Sequence, residues 1–244
     1  MIVIPMAGLS NRFKKDGYEL PKYMLKAKGE TLFYHSVESF KKYFNTEFFL
    51  FITLKTTTIK KFIENECKSL GIKNYNIVLL DKPTNGQAET VYMGLRKYKI
   101  HNDEKIFIFN IDTFRPGFTK PVDIDLNCID GYLETFIGSG ANWSNILPKD
   151  EGYNKVKITA EKQEISEYCC TGLYYWRSSN TFCDVYEGNL LKGVDNIQGG
   201  EFYIAPMYND LIRDGGDVRY TVVGERDVIF CGTPCEYKNF IEQS

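Results

Sequence analysis

The stretch IVIPMAGLSNRF, residues 2–13, decides the predicted fold. Its β-branched run, residues 2–4, stops at Pro5 and passes into small and polar residues, as a buried strand does where it feeds a loop. In open parallel sheets, ligands bind beyond the carboxyl ends of the strands. We therefore expect a first strand followed by a loop that faces a ligand.

The rest of the first half alternates between helical and strand-like patterns. Helices are predicted over residues 32–44, 59–70 and 88–98, and strands over residues 48–52, 77–80 and 106–109. Such alternation predicts a mostly parallel sheet with helices on both faces. After Asp112 the pattern changes to strand-like segments at 132–137, 155–158 and 172–176, with a helix expected at 201–214. We expect one domain over residues 1–244, with a soft boundary near residue 115.

Composition and charge exclude several classes of protein. The chain has 244 residues, 43% of them hydrophobic, which is enough for a substantial core. Its net charge of -2 predicts no general affinity for nucleic acid or for an anionic membrane. The longest apolar run, residues 48–52, is far shorter than the roughly 20 residues of a spanning helix, and no basic secretory signal opens the chain. A cytoplasmic protein is expected.

The cysteines and histidines do not predict a structural zinc site. Seven cysteines without a secretory signal are more typical of free thiols than of a disulfide framework. No C-x-x-C pair occurs, and His35 and His101 are not spaced as a metal motif.

Small and basic residues follow the first predicted strand. Gly8 lets the backbone approach a ligand, and Arg12 and Lys22 supply positive charge for phosphate oxygens. The segment matches neither G-x-G-x-x-G nor G-x-x-x-x-G-K-[ST]. On spacing alone, a tight turn beside a solvated basic patch explains it equally well.

Two further predicted strands of the first half end at candidate ligand-binding residues. Gly86 opens a predicted helix whose amino end suits an anion or a flat base, although a plain helix cap explains it as well. Asp112 follows the fourth strand, where a carboxylate can hold Mg²⁺ against phosphates or can simply cap a turn.

The second half offers three ambiguous positions. Lys162 suits a second phosphate, and Gly172 suits the close approach of a sugar-like group. The alternative is that Lys162 forms an exposed charge pair with Glu161 beside an aromatic-rich strand. Glu201 either binds hydroxyls or favours the amino terminus of the predicted helix.

Five motifs, taken in order, resemble those of the sugar-phosphate nucleotidylyltransferases. They are AGLSNRF (7–13), PKYML (21–25), EKQ (161–163), TGLYYW (171–176) and GEFYI (200–204). The resemblance extends over almost the whole chain. It implies a Rossmann-like three-layer α/β/α fold of GT-A type with a mixed central sheet. It also implies nucleotidyl transfer from a nucleoside triphosphate to a sugar phosphate or other small phosphorylated acceptor, with release of pyrophosphate, for surface polysaccharide biosynthesis.

The resemblance assigns roles residue by residue. Arg12 would neutralise the leaving pyrophosphate, Lys22 would bind the attacked α-phosphate, and Asp112 would hold Mg²⁺. Residues 1–115 would form the nucleotide-binding half and residues 116–244 the acceptor-binding half. The implied nucleotide-binding residues are Ala7, Gly8, Leu9, Ser10, Asn11, Lys82, Gly86 and Gln87. The implied acceptor-binding residues are Asn110, Glu161, Lys162, Thr171, Gly172 and Glu201. Whether the chain forms a homo-oligomer is left open.

Two departures from the family pattern bear on this interpretation. Phe230 stands where relatives carry a second magnesium aspartate, so Glu225 or Asp227 would have to replace it, or the triphosphate would hold the ion with Asp112 alone. Relatives that use thymine or uracil carry Gln where this chain has Asp81 or Lys82, which leaves the base open.

Three alternatives stay open on the sequence. The first is a cytidylyltransferase for a non-sugar acceptor, such as phosphocholine or a phosphorylated amino acid; Trp143 and the tyrosines could cage a quaternary amine or, equally, line a pocket for a sugar ring. The second is a GT-A glycosyltransferase, although residues 110–112 read NID where D-x-D is usual. The third is a catalytically silent nucleotide-binding regulator, which Phe230 favours and the retention of Lys22 and Asp112 opposes.

Overall fold

The computed structural model describes residues 1–99, 103–151, 153–193 and 200–242. The helices are α1 (Asn11–Lys15), α2 (Leu32–Glu38), α3 (Ile59–Leu70), α4 (Gln87–Tyr98), α5 (Ser179–Leu191), α6 (Tyr208–Arg213) and α7 (Pro234–Glu242). The strands of the first half are β1 (Ile2–Pro5), β2 (Lys26–Ala27), β3 (Glu30–Thr31), β4 (Phe49–Leu54), β5 (Tyr75–Leu80), β6 (Ile106–Phe109) and β7 (Thr113–Phe114). Those of the second half are β8 (Gly131–Ile137), β9 (Ser144–Pro148), β10 (Val156–Glu161), β11 (Tyr168–Trp176), β12 (Val218–Val223) and β13 (Ile229–Phe230).

A nine-stranded mixed sheet forms the centre of the molecule. Its main path runs β10-β9-β11-β6-β1-β4-β5, and β8 joins β11 to β12. The strands β6, β1, β4 and β5 are parallel to one another, whereas β11 is antiparallel to β6. The expected α/β fold with a mixed central sheet is therefore confirmed. The boundary near residue 115 stays a prediction.

Strand β1 shows how the sequence separates the two faces of this sheet. Successive side chains of a strand point to opposite faces. Ile2 and Ile4 join the apolar cluster that contains residues of α2 and α3, whereas Val3 joins the cluster that contains residues of α4, α5 and α6. Because all three residues are buried, β1 is an uninterrupted apolar run, as expected for a strand covered by helices on both faces.

The structure corrects two predicted helices. Helix α2 ends at Glu38 and gives way to a short 3₁₀ helix at Lys41–Tyr43, so the predicted helix 32–44 is broken. The helix predicted from Glu201 begins later, as a 3₁₀ turn at Ala205–Met207 followed by α6. The cause is a tertiary contact, because Phe202 N–H donates to the carbonyl of Asn85 and its own carbonyl accepts from Ala88 N–H. Glu201 therefore does not begin a helix.

Within the described ranges, no helix is both long and apolar enough to span a bilayer.

Candidate active site

Two adjoining cavities open beyond the carboxyl ends of β1 and β6. The smaller, called the loop cavity here, has a volume of about 500 Å³ and is lined mainly by residues 5–9 and 83–87. The larger, called the aromatic cavity, has a volume of about 670 Å³ and includes Trp143 and Phe230 in its lining. Side chains shared by both cavities make them two ends of one cleft. The shared residues are Asn11, Lys22, Gln87, Asn110, Asp112, Glu201 and Tyr203.

All the site residues predicted from the sequence line this cleft, with the exception of Lys82. The chain turns away from the cleft at the end of β5, where Asp81 forms ion pairs with Lys55 and Lys97 on the outer surface. Lys82 is exposed there. Lys82 therefore lines neither cavity, whereas residues 83–87 reach the cleft, and its predicted place beside the nucleotide stays a prediction.

Lys22 and Asp112 meet where the two cavities join. The Lys22 Nζ and Asp112 Oδ2 atoms lie 2.5 Å apart, and each side chain is 21% exposed. Ser10 holds the lysine in place, because its Oγ accepts a hydrogen bond from Lys22 N–H at 3.1 Å. Ser10 itself has left-handed backbone (φ 54°), which costs a non-glycine residue roughly 1–3 kcal/mol and persists only where the surroundings impose it.

Arg12 lies nearby on α1 and lines the aromatic cavity. Its guanidinium forms no ion pair within the described ranges. An arginine that is exposed to a cleft and engaged by no carboxylate is suited to binding an anionic ligand.

Gly172 allows β11 to approach Asn110 closely. Its φ is +95°, and a Cβ added there would lie 2.4 Å from Asn110 Nδ2. The Asn110 N–H donates to the Gly172 carbonyl, and the Asn110 side-chain oxygen accepts from Gln87 Nε2. This chain of contacts joins β6, β11 and the start of α4 across the floor of the cleft.

Gly86 performs a similar role on the other side of the cleft. A Cβ at this residue, whose φ is +136°, would lie 2.6 Å from the backbone N and O atoms of Phe202. Only a glycine lets the segment 200–203 rest on the start of α4. That contact brings Glu201 and Tyr203 into the cleft.

Glu161 and Lys162 end strand β10 at the aromatic cavity. Glu161 is only 4% exposed; burial raises the pKa of its carboxyl, and the hydrogen bond from Ser144 Oγ lowers it in part. Lys162 donates to the Tyr203 hydroxyl, a bond that raises the pKa of the ammonium group. Lys162 also has left-handed backbone (φ 54°).

The carboxyl-terminal strand β13 decides which acidic residues reach the site. It pairs with β7 so that Phe230 lies opposite Thr113, and Cys231 N–H donates to the Asp112 carbonyl. Glu225 and Asp227 belong to a short exposed 3₁₀ helix and do not line the cleft. They are therefore unsuited to replace the missing aspartate.

The donor set suits a magnesium ion that keeps most of its ligands from substrate and water. Among the residues described, no group of three or more His, Cys, Asp or Glu side chains could hold a metal ion. Asp112 is partly exposed and lines both cavities. Since Mg²⁺ commonly binds through one or two carboxylates plus substrate phosphates, Asp112 fits as a protein carboxylate for this ion.

Sequence reasoning missed a buried ion pair beneath the cleft. Arg115 binds Glu134 through two nitrogens, at 2.7 and 3.0 Å, and also donates to the Asp227 carbonyl. Thr171 Oγ1 donates to the same glutamate. No local pattern marks either member, because the partners lie 19 residues apart, with Arg115 directly after β7 and Glu134 in β8.

The chain was compared with known proteins. No protein-family model matches it, and no curated sequence is significantly similar to it. One solved structure is similar throughout: a nucleoside-diphosphate-sugar pyrophosphorylase from Vibrio cholerae is 46% identical, with each chain covered completely and a TM-score of 0.94. The chain belongs to the sugar-phosphate nucleotidylyltransferases.

More distant members share the fold of this nucleotidylyltransferase. A protein assigned as a glucose-1-phosphate thymidylyltransferase from Bacillus anthracis is 17% identical, with 98% of this chain and 93% of that chain covered and a TM-score of 0.76. An inositol-1-phosphate CTP transferase from T. maritima is 15% identical, with 98% and 92% covered and a TM-score of 0.70. At these identities the likeness concerns the fold alone.

Proposed function

We propose that the chain transfers a nucleotidyl group from a nucleoside triphosphate to a small phosphorylated acceptor and releases pyrophosphate. One observation carries the proposal: Lys22 and Asp112 meet where the two cavities join. A cation and a metal-binding carboxylate at one point suit a phosphorus atom under attack. The loop cavity would hold the nucleotide, and the aromatic cavity would hold the acceptor.

The reaction needs no general base from the protein. An acceptor phosphate with a second pKa near 6 is largely a dianion at pH 7. One of its oxygens would attack the α-phosphorus and form a new P–O bond. The bond from the α-phosphorus to the bridging oxygen would break, and pyrophosphate would leave with that bond's electron pair.

The protein's share of catalysis would be alignment and charge neutralisation. Lys22 Nζ would lie against the α-phosphate, and Arg12 would offset the charge that develops on the leaving pyrophosphate. Asp112 would hold Mg²⁺, which when bound supplies positive charge to the phosphate oxygens. The hydrogen bonds that join Gln87, Asn110 and Gly172 would hold the floor of the cleft in place.

We also propose a biosynthetic role and a cellular location for the reaction. A nucleotide-activated product suits surface polysaccharide biosynthesis. The proposed location is the cytoplasm, where nucleoside triphosphates are made.

A pyrophosphate-release assay tests the proposed function. The protein is incubated with Mg²⁺, each of ATP, CTP, GTP, UTP and dTTP, and a panel of sugar, polyol and amino-alcohol phosphates. We expect release that requires both a triphosphate and an acceptor. Lys15→Ala, which removes an exposed lysine outside the cleft, should match the wild type. Absence of release with every pair, or release that needs no acceptor, would refute the proposal.

A further inference from the structure

Three aromatic rings form one cluster beside the aromatic cavity. Phe230 lies 4.6 Å from Trp143 and 5.1 Å from Phe136, measured between ring centroids, and Trp143 lies 5.1 Å from Phe136. Phe136 is buried behind the other two. Trp143 and Phe230 are only partly buried and line the cavity. These two rings, called the aromatic wall here, are thus accessible to a ligand.

The backbone fixes this wall beside the reacting groups. Phe230 pairs with Thr113, the residue after Asp112, and the following Cys231 N–H donates to the Asp112 carbonyl at 2.8 Å. On the other side, the Trp143 carbonyl accepts from Lys162 N–H at 3.0 Å. An acceptor whose phosphate reaches Lys22 would therefore have the rest of its body within reach of the wall.

Two carboxylates, those of Glu161 and Glu201, line the aromatic cavity together with Trp143 and Phe230. In the β9–β10 pairing, Glu161 lies opposite Ser144, the residue that directly follows Trp143 in the chain. Glu201 is close enough to raise the pKa of the Glu161 carboxyl further, in addition to the larger effect of burial. Lys162 interacts electrostatically with both carboxylates and donates a hydrogen bond to the Tyr203 hydroxyl. A positive charge on a ligand at this end of the cavity would be attracted by both carboxylates.

We propose that the acceptor is a phosphate ester that carries a positively charged amine, held against Trp143 and Phe230 with Glu161 and Glu201 nearby. This inference rests on the proposed function and names its substrate class. Aromatic faces attract a cation within about 6 Å of the ring centroid, and tryptophan does so most strongly. Phe230 offers no hydrogen bond to a sugar hydroxyl, whereas its ring can contact an alkylated ammonium group along its whole face.

A matched pair of probe compounds isolates the role of the positive charge. Phosphocholine carries a quaternary ammonium group, and 3,3-dimethylbutyl phosphate has nearly the same shape with carbon in place of nitrogen. We expect kcat/KM for phosphocholine to exceed that for the neutral compound by roughly 3- to 30-fold, the range that cation–π attraction supplies. Glucose 1-phosphate and glycerol phosphate serve as neutral comparisons in the same assay.

Variants then test the wall itself. Phe230→Leu keeps an apolar side chain in the cluster but removes the ring, and we expect it to lower kcat/KM for phosphocholine roughly 3- to 30-fold more than it lowers that for dimethylbutyl phosphate. Trp143→Phe should retain more of the preference for phosphocholine than Trp143→Leu. The control is Tyr153→Leu, because Tyr153 is 61% exposed and lies outside both cavities. Thermal melts confirm that each variant is folded.

A binding measurement separates failure of this inference from failure of the proposed function. The chain has two tryptophans, and Trp176 is completely buried, so ligand-induced changes in fluorescence report on Trp143. We expect phosphocholine to change the emission at lower concentration than dimethylbutyl phosphate or inorganic phosphate does. Equal responses to the two esters, or turnover restricted to neutral sugar phosphates, would overturn the inference and leave the transferase standing. Absence of turnover with all acceptors would refute the proposed function, and the fluorescence titration would still decide the inference.

Discussion

Lys22 Nζ lies 2.5 Å from Asp112 Oδ2, although 90 positions separate the two residues in the chain. Three local features produce this contact. They are the left-handed Ser10, its hydrogen bond to Lys22 N–H, and the end of β6 just before Asp112. In the proposed reaction the lysine binds the α-phosphate and the carboxylate binds the metal. The same lysine therefore competes with a divalent cation for Asp112.

Replacing Lys22 should separate its binding of the α-phosphate from its competition with the metal ion for Asp112. In Lys22→Ala we expect turnover to fall by about 10²- to 10³-fold, as when one preorganised donor is removed from an active site. The affinity for Mn²⁺, measured by electron paramagnetic resonance as a probe of the metal site, should rise because the competing ammonium group is gone. Lys15→Ala should change neither quantity. Near-normal turnover in Lys22→Ala would remove this lysine from the mechanism.

Gly172→Ala tests the close approach of β11 to Asn110. The new methyl group would lie 2.4 Å from Asn110 Nδ2, and alanine disfavours a φ of +95°. We expect a loss of about 1–3 kcal/mol of stability and a lower kcat/KM, because Asn110 must move away from Gln87. Gly188→Ala is the matched control: Gly188 lies in α5 with nothing within 4 Å of the added Cβ. That variant should gain roughly 0.4–1 kcal/mol in denaturant unfolding. Equal effects of the two changes would contradict this account.

The buried Glu161 carboxyl should make stability depend on pH. Since burial raises its pKa in the folded protein, the folded state holds the proton more tightly than the unfolded chain does. This contribution to stability is complete below the ordinary glutamate pKa and is lost as pH rises through the raised value. We therefore expect Glu161→Gln to melt at a higher temperature than wild type at pH 7.5, with a smaller difference at pH 4. The exposed Glu164→Gln is the control. A difference that stays constant with pH would contradict the assignment.

Arg115 should be far more important to stability than a surface arginine. Its side chain is 10% exposed and that of Glu134 is 3% exposed, so Arg115→Met leaves a buried carboxylate uncompensated. Such a change typically costs about 3–5 kcal/mol. Arg177→Met, which breaks a partly exposed pair with Asp130, should cost about 0–1 kcal/mol. Denaturant unfolding measures both. In the double variant Arg115→Met/Glu134→Leu, recovery of stability would confirm that the stranded charge is the cause.

The parallel half of the fold could be predicted because its signals are local. Helix α3 spans residues 59–70 as predicted, with an apolar stripe and a left-handed Gly71 at its end. Helix α5 was missed because its apolar residues follow no clear helical stripe and Gly188 interrupts it. Strand β12 was missed as well, and it is held in the sheet by pairing with β8, almost 90 residues earlier in the chain.

The residues of the candidate site also fall into those that local sequence signals predict and those that only the tertiary structure brings together. Residues at strand ends, such as Lys162 and Asp112, follow from the rule that ligands bind beyond the carboxyl ends of strands. The aromatic partners of Phe230 could not be predicted in this way. Phe136 and Trp143 lie more than 80 residues away in the chain and meet Phe230 only through the β13–β7 pairing. The sequence showed that an expected aspartate is missing there. The structure shows an aromatic wall in its place.

Isotope transfer tests the central claim most directly. An acceptor that supports pyrophosphate release is prepared with ¹⁸O in its phosphate, and the product is examined by ³¹P nuclear magnetic resonance and mass spectrometry. Attack by the acceptor oxygen on the α-phosphorus predicts ¹⁸O in the bridge between the two phosphorus atoms of the product, and unlabelled pyrophosphate. A bridge without ¹⁸O, or label in the pyrophosphate, would contradict the account.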